Sequence, residues 1–138
     1  MDNAILKRFN IEVKRAYYIA TRYKAISTFA LLHFEKKLSL EELSTFLRAS
    51  DKFLLLDKNT YFIHFTFTSE KGAFKASENL ILSLDNYFNN QKNYIALKEI
   101  DINITPTMLL NKLTEILKVT KEHSYSRIED ESILNSTF

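Results

Sequence analysis

Glycine occurs once in this chain of 138 residues, at Gly72. That scarcity constrains the fold and its chemistry more than any other feature. Glycine takes left-handed backbone conformations without steric cost and lets backbone N–H groups approach a ligand closely. Loops that cradle phosphate need it, because side chains would shield those N–H groups. A P-loop and a dinucleotide-binding fingerprint are therefore absent, and tight turns fall to Asn and Asp. Cysteine is missing altogether. Disulfides, thiolate chemistry and Cys-ligated zinc are thereby excluded, which fits a reducing cytoplasm. The histidines are His33, His64 and His123, and none stands at metal-ligand spacing from another. Neither a cofactor nor a metal is expected.

The length suits one domain with a sizeable core. A formal net charge of +2 is too small to argue for nucleic acid. No apolar run approaches the roughly 20 residues that span a bilayer. The N-terminus lacks the apolar core of a signal peptide. Charge is nonetheless uneven. Lys7, Arg8, Lys14, Arg15, Arg22 and Lys24 crowd the start, whereas Glu122, Glu129, Asp130 and Glu131 face only Arg127 at the end. Two solvated surfaces account for this pattern.

Periodicity orders the elements. Asn10 is placed to cap a helix over 11–25, with Val13, Ala16, Tyr17 and Ala20 on one face. The apolar run 27–35 is a buried strand. Ser39 and Glu42 form a capping box that opens a short helix with Leu40 and Leu43 inward. Residues 52–56 and 60–68 make a hairpin around Asp57–Asn59. A helix over 70–89 presents Phe74, Ser77, Ile81, Leu84 and Phe88 to the core. A strand over 94–102 and a helix over 105–119 follow, the latter with Thr105 as cap and Pro106 in its first turn. The fold class is α+β. Its core βαββαβ is the ferredoxin-like arrangement of an antiparallel sheet, here with an added N-terminal helix and a C-terminal helix. The pattern predicts four strands with the hairpin 52–68 at the centre and helices 40–48 and 70–89 on one face. The other face is expected to be free for a partner, a ligand or more protein. Residues 1–121 read as one domain and 122–138 as a polar acidic tail.

Several of these elements show a likeness. RYKAISTFALLHFE (22–35) resembles the opening of GGDEF domains, the diguanylate cyclase fold, in which Arg-Tyr ends a helix and an apolar strand ends Asp-x-Asp. LRASD (47–51) resembles that family's Arg-x-x-Asp, and PTMLLNKLTEILKVTKEH resembles its last helix. The resemblance covers most of residues 10–121. It implies a bacterial signalling domain, and it breaks at the chemistry. The family's first-strand carboxylates, which hold metal ions for the triphosphate, are His33 and Glu35 here. Its Gly-Gly-Asp/Glu-Glu-Phe hairpin is Lys58-Asn59-Thr60-Tyr61-Phe62, with only Phe62 kept. The gap from Asp51 to the turn is one residue longer, which reverses side-chain direction along a strand unless the turn absorbs it. The resemblance thus implies a degenerate module without cyclase activity, acting through protein contacts as a homodimer or with a protein partner. Its alternative is a receptor that binds cyclic di-GMP through Arg48 and Asp51.

Other groupings point elsewhere. His33 and Glu35 share a strand face, and His64 would join them if the strands paired in register, making an acid–base or metal cluster. Packing explains His33 as well. Tyr61, Phe62 and Phe65 occur where RNA-binding sheets stack bases, but the accompanying basic pattern is missing. Tyr17, Tyr18 and Ile19 extend the apolar surface of the first helix around more than one face and are the expected interface.

Overall fold

The computed structural model describes residues 1–89, 92–123 and 125–135. Helix α1 spans Asn3–Tyr23, strand β1 Thr28–Phe34, helix α2 Leu40–Ser44 and strand β2 Lys52–Asp57. Strand β3 spans Thr60–Phe65, helix α3 Glu70–Phe88, strand β4 Asn93–Glu99 and helix α4 Pro106–His123. Strand β5, Ile128–Glu129, and a short 3-10 helix, Glu131–Asn135, complete the described chain.

The expected βαββαβ core is present in a sheet ordered β2-β3-β1-β4-β5. Strand β1 pairs antiparallel with β3 and β4, and β2 pairs antiparallel with β3. Strand β5 runs parallel to β4, so the sheet is mixed and has five strands rather than four. The hairpin β2–β3 lies at one edge and not at the centre, which belongs to β1. The residues of β1 explain its place. Ala30, Leu32 and Phe34 face one side, Phe29 and Leu31 the other, and all five are buried. A strand apolar on both faces requires cover on both.

Of the occupants expected for the second face it is more protein that takes it, since the cover comes from α1 and α4 of the same chain. Helices α2 and α3 pack Leu43, Ala73, Leu80, Ile81 and Leu84 onto the side carrying Tyr61, Ile63 and Phe65. On the opposite side α1 and α4 set Phe9, Val13, Leu109, Leu113 and Ile116 against Phe29, Leu31 and Phe62. Helix α1 begins eight residues before the expected start. Asp2 caps it by accepting from the Ile5 N–H at 2.8 Å, and Asn10 lies inside it. The other caps hold, whereas Leu40, expected to face inward, is 40% exposed and leaves Leu43 as the buried residue of α2. Ser39 and Glu42 make the capping box, and the Thr105 hydroxyl accepts from the Met108 N–H at 3.1 Å. The extra residue before the hairpin turn is taken up by an irregularity in β2. Leu55 faces Tyr61 while Asp57 faces Thr60, so Leu56 is the residue absorbed. Strand β3 stops at Phe65 because Phe67 turns the chain with φ of 53°.

The domain boundary at 121 does not coincide with the packing. Beyond α4, Ile128 enters the core and Ile133 and Leu134 pack on the α1/α4 side. Arg127 holds Asp85 of α3 at 2.6 Å, and Lys98 pairs with Glu131 at 3.0 Å. The carboxyl groups of Glu70 and Asp130 share a hydrogen bond. Burial, then Asp130, pushes Glu70 up to about 7, and the shared proton holds Asp130 below its usual range. Between 4.5 and about 7 the folded protein keeps a proton on Glu70 that the unfolded chain has released. This contribution to stability is complete below the lower value and is lost as pH rises through the upper one. Glu70→Gln keeps a donor without titrating. Urea denaturation at weakly acidic and weakly basic pH is expected to show a larger loss of stability with rising pH in the wild type than in this variant. Parallel profiles would remove the pair as a cause.

Candidate functional site

Arg48 and Asp51 meet at the entry to β2. The turn that joins them is closed by the Asp51 N–H donating to the Arg48 carbonyl at 3.0 Å. In return the Arg48 N–H donates to Asp51 Oδ2 at 3.0 Å. Arg48 Nη2 and Nε donate to Oδ1 at 2.8 and 3.2 Å. Nη2 also reaches the Thr66 carbonyl at 3.1 Å and Thr68 Oγ1 at 2.7 Å. The Asp51 side chain is 2% exposed and that of Arg48 52%. The carboxylate is therefore consumed within the protein, and its hydrogen bond holds the guanidinium more firmly charged than usual. Both residues come together, but as a clamp on the chain beyond β3 with only the arginine open to solvent.

The hairpin tip is equally committed. The Lys58 N–H donates to Asp57 Oδ1 at 2.6 Å, and the Asn59 carbonyl accepts from Phe34 at the end of β1 at 3.0 Å. No residue of the turn has positive φ, so Asn59 makes it without the left-handed conformation that asparagine tolerates. His33 is half-buried between Thr60 of β3 and Tyr94 of β4. Burial, and then Lys121, depress its pKa, with Glu35 opposing them.

The His33/Glu35/His64 cluster does not form. The register sets His33 opposite Thr60 and His64 opposite Phe29. Four positions of strand, roughly 13 Å, separate the two imidazoles along the sheet. Among the described residues no group of three or more His, Cys, Asp or Glu is placed to hold a metal ion. His64 instead lies under α1, 4% exposed, with Nδ1 at 3.2 Å from Glu12 Oε2. That hydrogen bond lowers the Glu12 pKa against the opposing effect of burial. Its Nε2 is buried without a hydrogen-bond partner among the described residues. Sequence reasoning missed Glu12. It stands 52 residues from His64, and no spacing rule links a helix residue to a strand at that separation.

The three expected interface residues separate. Tyr17 turns inward, its ring 6.3 Å from Phe29. Its hydroxyl is buried without a partner among the described residues, and burial, with Asp101 nearby, pushes its pKa up to about 12. Ile19 is half-buried beside Ala16 and Ala20. Tyr18 alone faces solvent, 61% exposed.

Sheet order, helix placement and the edge hairpin together define an α+β domain with the GGDEF fold. The GGDEF domain of DgcB from Caulobacter crescentus, solved in complex with c-di-GMP, superposes with a TM-score of 0.73 over 91% of this chain and 90% of that one, at 9% identity. PelD from Pseudomonas aeruginosa PA14, in its apo form, gives a TM-score of 0.57 at 18% identity over 83% of this chain. PelD from strain PAO1 gives 0.57 at 17% identity over 80%. This chain spans 46% and 44% of those two PelD chains. No protein-family model matches the sequence, and no curated protein matches it.

Proposed function

We propose that this chain is a non-catalytic GGDEF-like signalling module that acts through protein–protein contacts. The observation that carries the reading is the sealed Asp51 carboxylate. A receptor using Arg48 and Asp51 together needs both at the surface, and here the acid is spent on the arginine and its own turn. The hairpin supports the same reading, because Lys58 and Asn59 fill the positions of the two glycines and His33 and Glu35 stand for the first-strand acids. Two Mg²⁺ ions need several hard oxygen ligands in fixed geometry, and Glu35 alone does not supply them.

The contact surface is the outer face of α1. Ile11 and Tyr18 are 46% and 61% exposed and lie two helical turns apart on one side. Burying one such tyrosine is worth on the order of 2 kcal/mol. The basic residues Lys7, Arg8, Lys14 and Arg15 are exposed on the same helix and give the surface polar surroundings.

One set of measurements tests this reading. The purified chain, incubated with GTP and Mg²⁺, is expected to make no cyclic di-GMP and to give no saturable heat with cyclic di-GMP. Sedimentation at micromolar concentration is expected to show a dimer that Tyr18→Glu returns to monomer, with an unfolding midpoint that no longer depends on protein concentration. Product formation abolished by Glu35→Ala would restore an enzyme, and dinucleotide binding lost in Arg48→Ala would make the chain a receptor. A monomer whose size Tyr18→Glu does not alter would remove self-association.

A further inference from the structure

Between α1 and the hairpin lies a groove of about 280 Å³. Ala16, Ile19 and Ala20 of α1 form one wall, and Ala25 and Phe67 contribute to the others. This volume falls near the lower end of the range of small-ligand pockets, roughly 300–1,000 Å³. It suits a short carbon chain or a single ring. His64 lies among the lining residues, with its unpartnered Nε2 buried beneath the surface.

The lip of the groove is strained. Phe67 holds φ of 53° and is 68% exposed. A bulky side chain in the left-handed region is costly, and such conformations persist only where the surroundings over-determine them. Here they do. The Phe67 N–H donates to Ser27 Oγ at 3.3 Å, and the Thr28 hydroxyl donates to the Thr68 carbonyl at 2.9 Å. Arg48, itself held by Asp51, grips the Thr66 carbonyl and Thr68 Oγ1 from the other side. The Arg-x-x-Asp motif thus fastens the segment that presents Phe67.

The charge around the groove selects the ligand. Among the described residues Glu12 is the only acid lining the groove, and it already meets His64 at 3.2 Å and Arg15 at 4.0 Å. Lys52 also lines the groove, is exposed, and makes no salt bridge among the described residues. A positive surplus at the rim of an apolar slot is complementary to an anionic head on an apolar body. We propose that this groove binds a small apolar molecule carrying one carboxylate, its body between α1 and Phe67 and its head at Lys52 and Arg15. Bound there, the ligand bridges α1 to the sheet and holds the helix in place.

Sodium octanoate, octan-1-ol and octylamine, titrated into the full chain near neutral pH, provide the test. Octanoate is expected to give saturable, single-site NMR shifts at the amides of Ala16, Ile19, Ala20 and Phe67, and to slow amide exchange in α1. The alcohol and the amine, lacking the carboxylate, are expected to bind roughly tenfold more weakly, the worth of one charge-assisted hydrogen bond. Lys52→Gln combined with Arg15→Gln removes the cations from exposed positions without touching the core, and is expected to weaken octanoate by a similar factor. Ala20→Phe fills the slot and is expected to abolish binding. No saturable shift, equal binding of the alcohol or amine, or unchanged octanoate affinity in Lys52→Gln/Arg15→Gln overturns the proposal.

Discussion

Phe9→Ala is expected to cost roughly 3–5 kcal/mol of unfolding free energy, the usual loss for truncating a fully buried phenylalanine. Phe9 is 0% exposed, and its ring stands edge-on to Phe62 with centroids 4.9 Å apart. Phe62 in turn stacks on Phe29 at 5.7 Å. The alanine loses the transfer energy of the ring, leaves a void between α1 and the sheet, and forfeits an aromatic pair worth roughly 0.5–1.5 kcal/mol. Single domains are stable by only roughly 5–15 kcal/mol, so the variant is expected to lie near the edge of folding. Leu82→Ala, at an exposed position of α3, is expected to stay within about 0.5 kcal/mol of wild type. Urea denaturation followed by circular dichroism measures both. A cost below about 1 kcal/mol for Phe9→Ala would show that α1 is an appendage and not a layer of the core.

The second large effect is expected at the Arg48–Asp51 clamp. Arg48→Ala leaves the Asp51 carboxylate buried with only one backbone N–H to receive. Breaking a fully buried ion pair costs roughly 3–5 kcal/mol, and the half-open guanidinium reduces this to roughly 2–3 kcal/mol. Asp51→Ala is expected to cost about 2 kcal/mol, because it orphans donors but leaves no buried charge. The double variant is expected to cost less than the sum of the singles, since the charge stranded by the first change is removed by the second. The same variants are expected to raise amide exchange at Thr66–Thr68, which Arg48 holds directly. Additive costs within about 0.5 kcal/mol would mean that the two residues act independently and that the motif is no clamp.

The features legible in the residues were local or followed from the order of the elements. The capping box at Ser39 and Glu42, the hairpin around Asp57–Asn59, the inward stripe of α3 and the cap at Thr105 each lie within a few residues of one another. Periodicity and capping chemistry act over that span. The order of helices and strands then leaves few ways to close a βαββαβ sheet, and the GGDEF fold is one that suits it. Tertiary structure decided the rest. It placed the hairpin at an edge and covered the second sheet face with α1 and α4. The uninterrupted apolar run of β1 did carry a trace of that second layer, because a strand buried on both faces shows no alternation. It could not name which helix would supply the cover. The site was less legible still. Whether Asp51 faces a ligand or its own arginine depends on Thr66 and Thr68, 18 and 20 residues further on from Arg48. Whether His64 meets His33 or Glu12 depends on the strand register and on a helix 52 residues away. Such partnerships are set by the energy of the whole packed domain, and no spacing along the chain encodes them.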